Sequence, residues 1–282
     1  MALRISDADE FADVAVVVGD LVARSLVDPD RLLLVGARCR DLLHRELGHT
    51  TAIRRTDDID FGIAVESLSD YRKIVETLES TGTTAARFNV NGLAVDIMPF
   101  GRIEDPRGTV TLGSRYGSFS VEGFRSVWEN AQAIELDDTA TIRVPQVAGY
   151  AVLKAHAYAE RAARFEIKDA EDLATVLTWY RESQAIEDAL FDSEFGYDVL
   201  QQTDFDVPAA SAYILGIDML QSLPTTDQGA LRGAWNRCRD DLLIQRYSLH
   251  STNLDAANSI SSLRRAFESQ NPVRRPSKEW PL

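Results

Sequence analysis

Long apolar runs are missing from this chain. No stretch of its 282 residues is long and apolar enough to span a bilayer, and no apolar segment follows a basic stretch at the N-terminus. The sequence therefore predicts neither a membrane helix nor a secretory leader. Cysteine is scarce: Cys39 and Cys238 lie far apart and match no metal or redox spacing. That usage suits a reducing compartment, so the cytoplasm is the expected location. The four histidines, His44, His49, His156 and His250, fall in no metal-binding pattern, which argues against zinc. Positive charge is short as well, with 30 Lys and Arg against 44 Asp and Glu, a formal net charge of −14. Such a field repels phosphates, which argues against a nucleic-acid-coating protein while leaving room for a local basic groove.

The remaining composition, 45% hydrophobic and 26% charged, is that of a globular chain able to bury a large core without staples. Its most informative stretch is Arg55-Thr56-Asp57-Asp58-Ile59-Asp60-Phe61-Gly62-Ile63-Ala64-Val65. Read as a strand, it puts Ile59, Phe61, Ile63 and Val65 on a core face and Asp58, Asp60, Gly62 and Ala64 on the other. Two carboxylates side by side repel one another, and a divalent cation is one reason to keep them there. A strand that merely begins in solvated acids is the plainer reading.

In chain order, Asp7–Ala23 reads as an amphipathic helix capped by Ser6 or Asp7. Leu32–Val35 is a short buried strand ended by Gly36, with a helix over Arg38–Leu47. After the acidic strand comes a helix over Asp70–Ser80. Ala86–Val90 and Leu93–Phe100 then form a hairpin turning at Asn91-Gly92, a strong two-residue turn signal. In the second arm Asp96 is a lone carboxylate in an apolar strand, costly unless something pairs with it. A strand, a short helix near Phe124–Asn130 and a hairpin turning at Asp137–Thr139 lead to Pro145. Beyond it six stretches read as helix: Pro145–Ala163, Asp169–Tyr180, Ser183–Phe191, Val207–Leu220, Asp227–Leu249 and Leu254–Ser269. The basic, proline-rich tail from Asn271 reads as a poorly ordered terminus. The expected domains are thus 1–144, mixed α/β, and 145–282, helical.

A glycine turn opening a helix offers backbone N–H groups to phosphates. Three carboxylates from two strands facing such a turn suit metal-dependent phosphoryl or nucleotidyl transfer. Several segments then carry a family resemblance: Val35-Gly36-Ala37-Arg38-Cys39-Arg40-Asp41-Leu42, Arg55 to Phe61, Val95-Asp96-Ile97-Met98-Pro99-Phe100-Gly101, Leu153-Lys154, and Lys168-Asp169-Ala170-Glu171-Asp172-Leu173. In this order, across Leu32 to Tyr180, the set resembles the AbiEii-type nucleotidyltransferases. These are similar to the MenT toxins of type IV toxin–antitoxin systems, within the polymerase-β-like superfamily. The resemblance implies an α/β (α+β) nucleotidyltransferase fold with a mixed sheet, followed by a mostly α-helical C-terminal domain that completes the active site.

It further implies that Asp58, Asp60 and Asp96 hold Mg²⁺ or Mn²⁺. Gly36, Ala37 and Arg38 would form the phosphate turn, Lys154 would contact nucleotide phosphates, and Asp169 would be a further functional acid ahead of Asp172. For the last two the sequence also allows a solvated helix lysine and an N-cap with an acid three residues on. The superfamily often has a serine after the turn glycine; here Ala37 removes that hydroxyl, and Arg38 or Arg40 would compensate. Arg54 and Arg55 either steer the triphosphate or offset the acids. His44 and His49 are expected at the surface and His156 without a partner. The implied enzyme is a monomer that takes an NTP and modifies a tRNA 3′ end or a protein hydroxyl, with a cognate antitoxin as partner. Two alternatives stand beside it: a small-molecule, aminoglycoside-like nucleotidyltransferase, and a catalytically silent binding or regulatory component.

Overall fold

The computed structural model of the chain describes residues 3–4, 11–24, 26–51, 58–81, 85–113, 117–136 and 141–269. Arg54, Arg55, the expected Ser6 or Asp7 cap, the turn at Asp137–Thr139 and the basic tail lie outside them. The chain divides into two compact units, Met1–Gln146 and Val147–Leu282. No helix among the described residues is long and apolar enough to cross a membrane.

The first unit is built on strands β1 (Leu3–Arg4), β2 (Leu32–Val35), β3 (Asp58–Val65), β4 (Glu79–Ser80), β5 (Arg87–Val90), β6 (Leu93–Gly101), β7 (Thr109–Thr111), β8 (Ser118–Ser120), β9 (Gln132–Glu135) and β10 (Thr141–Val144). Eight of them form one sheet in the order β1-β9-β10-β2-β3-β6-β5-β4, while β7 and β8 form a separate hairpin. The sheet is mixed: β1–β9, β10–β2 and β3–β6 run parallel, the other neighbours antiparallel. Four helices accompany it: α1 (Ala12–Ala23), α2 (Gly36–Glu46), α3 (Leu68–Val75) and α4 (Phe124–Glu129).

Burial follows the pleat. Ile59, Phe61, Ile63 and Val65 of β3 are buried, as are Val95 and Ile97 of β6, and Leu32 to Val35 of β2 are buried throughout. On the opposite face aromatic side chains cover the Gly62 end. There a Cβ on Gly62 would lie 2.8 Å from the ring of Phe124 and 3.1 Å from that of Phe100. Aromatic packing, with Phe100 and Phe124 centroids 5.8 Å apart, covers that end and leaves the acidic end uncovered by it.

Two elements in this unit differ from expectation. The helix expected over Asp70–Ser80 is α3, shifted toward the N-terminus because Ser67 caps it, its hydroxyl accepting from the Asp70 N–H at 3.1 Å. Its last residues instead form β4, pairing with β5 at the sheet edge. α2 begins at Gly36 itself, not one or two residues later.

The second unit is helical: α5 (Val147–Arg161), α6 (Lys168–Glu182), α7 (Gln184–Asp192), α8 (Glu194–Gln202), α9 (Val207–Gln221), α10 (Thr225–Trp235), α11 (Asp240–Tyr247) and α12 (Asn253–Glu268). α8 lies in a stretch for which the sequence gives no helix expectation. In the fold Gly196 is a contact: a Cβ there would lie 2.0 Å from the Ala189 carbonyl oxygen, so only glycine lets α8 lie against α7. The single helix expected over Asp227–Leu249 is broken into α10 and α11. At the break Arg239 is extended, and its carbonyl accepts both the hydroxyl of buried Tyr158 at 2.7 Å and the Leu243 N–H at 3.2 Å.

Candidate functional site

Four strands bring the expected carboxylates together through register alone. Val35 of β2 is the partner of Asp60 in β3, Asp60 is the partner of Asp96 in β6, and Asp96 is the partner of Arg87 in β5. Adjacent strands lie about 4.8 Å apart, so Val35, Asp60, Asp96 and Arg87 form one row across the sheet. Directly paired residues share a face, and Asp58, two residues before Asp60, shares it too. Like charges directly opposite each other are destabilising. The row therefore holds a repulsive pair, Asp60 and Asp96, that something must offset.

Part of the offset comes from α2. Gly36 ends β2 and starts α2 with φ +66°, and a Cβ on it would lie 1.9 Å from Asp60 Oδ2. The Asp60 carboxylate thus occupies the space that any side chain at residue 36 would fill. It sits at the first residue of a helix whose N-cap, Val35, supplies no side-chain acceptor. Unmatched N–H groups and the helix dipole favour an anion there by about 0.3–1 kcal/mol. Glycine is needed twice over, for the left-handed backbone and for the close approach. Ala37, the next residue, is buried. Arg38 is ion-paired with Asp13 of α1, so its charge is already matched within the fold. Arg40 is buried against Asp41, with Nη2–Oδ1 at 2.7 Å.

A further offset comes from Arg87, which sequence reasoning missed. Its guanidinium lies between two acids of this face: Nη2 bonds Asp58 Oδ1, and Nη1 lies 4.0 Å from Asp96 Oδ2. All three side chains are about one-third exposed. Asp96 is thus half-buried, with the cationic partner that a carboxylate in an apolar strand requires. Tyr71 of α3 donates to the Ile97 carbonyl at 2.9 Å; burial, then the Asp96 charge, push its phenol above the usual range.

The signal for Arg87 was present in the hairpin. Asn91 and Gly92 both have positive φ, 54° and 82°, and pair Val90 with Leu93. Counting three residues outward along each arm puts Arg87 opposite Asp96.

Among the described residues no three His, Cys, Asp or Glu side chains are gathered closely enough to hold a metal ion. The chemistry here is nevertheless that of a hard cation: Asp58, Asp60 and Asp96 offer carboxylate oxygens, Asp58 and Asp96 are partly open to solvent, and a cationic side chain already lies beside them. Asp58, Asp60 and Asp96 therefore fit Mg²⁺ or Mn²⁺ in donor type.

Lys154 and Asp169 belong to the second unit, in α5 and α6. Lys154 Nζ lies 2.6 Å from Asp172 Oδ2 and 3.5 Å from Asp169 Oδ1, and Arg161 Nη1 lies 2.6 Å from Asp169 Oδ2. Asp169 and Asp172 are almost completely buried. Neither is an N-cap: Ile167 holds that position, and Asp169 is the second residue of α6. Two cations and two anions thus form a charge-balanced cluster joining α5 to α6, and Lys154 is not a solvated lysine. To bind phosphate, Lys154 would have to leave buried carboxylates, a loss of several kcal/mol.

One histidine also differs from expectation. His44 is buried, not at the surface, with Nε2 3.0 Å from the Thr51 carbonyl oxygen and its ring stacked on His49 at 5.0 Å. Burial lowers its pKa. His156 is buried in α5, where burial and then the charge of Arg237 lower its pKa to about 4.

Comparison with known protein families finds no family model that matches the chain, and no curated protein matches it.

Proposed function

We propose that the chain is a Mg²⁺- or Mn²⁺-dependent nucleotidyltransferase of the AbiEii/MenT-like kind, with the nucleotidyltransferase fold in its first unit. One observation carries this reading: the row in which the glycine-started helix, Asp60, Asp96 and Arg87 follow one another across four strands, with Asp58 on the same face. Register of this kind converges acids that repel one another, and a fold keeps such an arrangement at a cost in stability.

In the reaction an acceptor hydroxyl attacks the α-phosphorus of an NTP. The new O–P bond forms as the bond from the α-phosphorus to the bridging oxygen breaks, and pyrophosphate leaves with that oxygen. Bound magnesium supplies charge neutralisation on the triphosphate. Asp58 and Asp60 would hold the ion. Asp96, beside Asp60, would complete the donor set and accept the hydroxyl proton. The first N–H groups of α2 would receive phosphate oxygens, doing through the backbone what a serine at residue 37 would do with its hydroxyl. The acceptor is a tRNA 3′ end or a protein hydroxyl, and the context that of a toxin with a cognate antitoxin, in the cytoplasm.

A second reading is favoured by the net charge of −14. A cationic small molecule of the aminoglycoside sort is drawn to such a protein, whereas RNA is repelled. Ala37 motivates a third, a catalytically silent regulatory component.

One experiment sorts these. Purified protein is incubated with each labelled NTP, Mg²⁺ and total cell RNA, then with a cationic aminoglycoside, with Asp60→Asn as control. Label in RNA or protein supports the first reading, and label in the small molecule alone the second. No transfer to any acceptor, together with no Mg²⁺-dependent NTP binding by calorimetry, refutes nucleotidyl transfer.

A further inference from the structure

The carboxylate row already contains a cation of its own. Arg87 is one strand removed from Asp96, reaches both Asp58 and Asp96, and extends the acidic row by one place. A guanidinium hydrogen-bonded to Asp58 and ion-paired at 4.0 Å with Asp96 competes with a divalent ion held by the same carboxylates, because it takes Asp58 lone pairs and repels the ion. We propose that Arg87 is a positioning residue that guards the metal site. It occupies Asp58 and Asp96 in the nucleotide-free protein and transfers to the phosphates of the incoming triphosphate when the metal–nucleotide arrives. This rests on the metal-site reading above and deepens it.

Three features support the exchange. First, Arg87 is about one-third exposed, so it leaves its partners without unburying a core group. Second, its fork of donors suits a phosphate as well as a carboxylate, so its charge stays matched in either state. Third, its strand is an outer one: β5 is covered on its far side only by the two-residue β4. Free metal then binds weakly and nucleotide strengthens it, which keeps the row from taking up a stray cation when no substrate is present.

The test is a titration of Mn²⁺ into the full chain, read by loss of the free-ion electron paramagnetic resonance signal, with and without a non-hydrolysable ATP analogue. The variants are wild type, Arg87→Gln and Arg87→Lys. Removing one like charge within about 6 Å of the ion tightens Mn²⁺ binding by about tenfold in a half-exposed site. Arg87→Gln is therefore expected to bind Mn²⁺ about tenfold more tightly without nucleotide. The gain from adding nucleotide falls correspondingly, because the phosphates lose their guanidinium. Arg87→Lys keeps the charge but not the fork and is expected between the two. Its charge also keeps the test intact if the glutamine variant does not fold. Equal Mn²⁺ affinity in wild type and both variants overturns the guarding role and leaves the metal site standing. Absence of Mn²⁺ binding in every protein, with or without nucleotide, overturns both.

Discussion

Gly36 is the residue whose replacement tests the geometry most directly. At φ +66° an alanine carries a left-handed backbone penalty of about 1–2 kcal/mol. Its Cβ would also sit 1.9 Å from Asp60 Oδ2, 2.6 Å from Cγ and 2.8 Å from Cβ, separations no pair of non-bonded atoms tolerates. Asp60 must then leave its rotamer, at about 0.5–1.5 kcal/mol. Moving the carboxylate off the α2 N-terminus removes a further 0.3–1 kcal/mol or so. Gly36→Ala is therefore expected to lose about 2–4 kcal/mol of stability, measured by urea unfolding in EDTA. The steric share depends on Asp60, so the same change in an Asp60→Gly background is expected to lose only about 1–2 kcal/mol, the backbone share alone. A loss below about 0.5 kcal/mol in the otherwise native chain, or equal losses in both backgrounds, refutes the placement of Asp60 against Gly36.

Three further outcomes follow from other parts of the molecule. Lys154→Met leaves Asp169 and Asp172 buried with only Arg161 to offset them, so it is expected to destabilise by about 3 kcal/mol, with partial rescue by Asp172→Asn; thermal melts of the single and double variants check this. His156, with its pKa lowered to about 4, stays neutral in the fold while the unfolded chain takes up a proton below about 6.5. Stability is then full above pH 6.5 and falls as the pH drops toward 4, by up to about 3 kcal/mol, and His156→Gln is expected to flatten that slope in urea midpoints measured across the range. Asp58→Asn removes one partner of a one-third-exposed ion pair, so the apo protein is expected to lose under about 1 kcal/mol while nucleotidyl transfer is abolished; a large drop in melting temperature would mark Asp58 as structural instead.

What could be read from the sequence follows the strength of its periodicities. β3 was legible because Ile59, Phe61, Ile63 and Val65 occupy every second position between Asp58 and Val65, although Gly62 is buried as well. The β5–β6 hairpin was legible because Asn91-Gly92 admits few alternatives. Arg87 was not found, although the same turn implies its partner, because a lone arginine in a strand looks like a solvated edge residue until the pairing is counted out. α8 was hidden because the physical reason for Gly196 is a contact with a helix that local sequence does not specify. The fates of Lys154 and His44 were hidden for the same reason. Whether a charged or titratable group on an amphipathic helix faces water or a buried partner is decided by packing, and spacing of three or four residues is compatible with both.

The Asn91-Gly92 turn lies beyond the last hairpin pair, three pairs out from the one that joins Arg87 to Asp96. Yet it is what decides which side chains of β6 accompany Asp60. Were this two-residue loop lengthened by one so that β6 slid a single step, Val95 or Ile97 would replace Asp96 in the row, and the carboxylate would turn inward among Phe61 and its neighbours. A chemically bland loop tip thus acts as the index mark for the whole acidic assembly. Insertions there would silence the site without touching any residue in it.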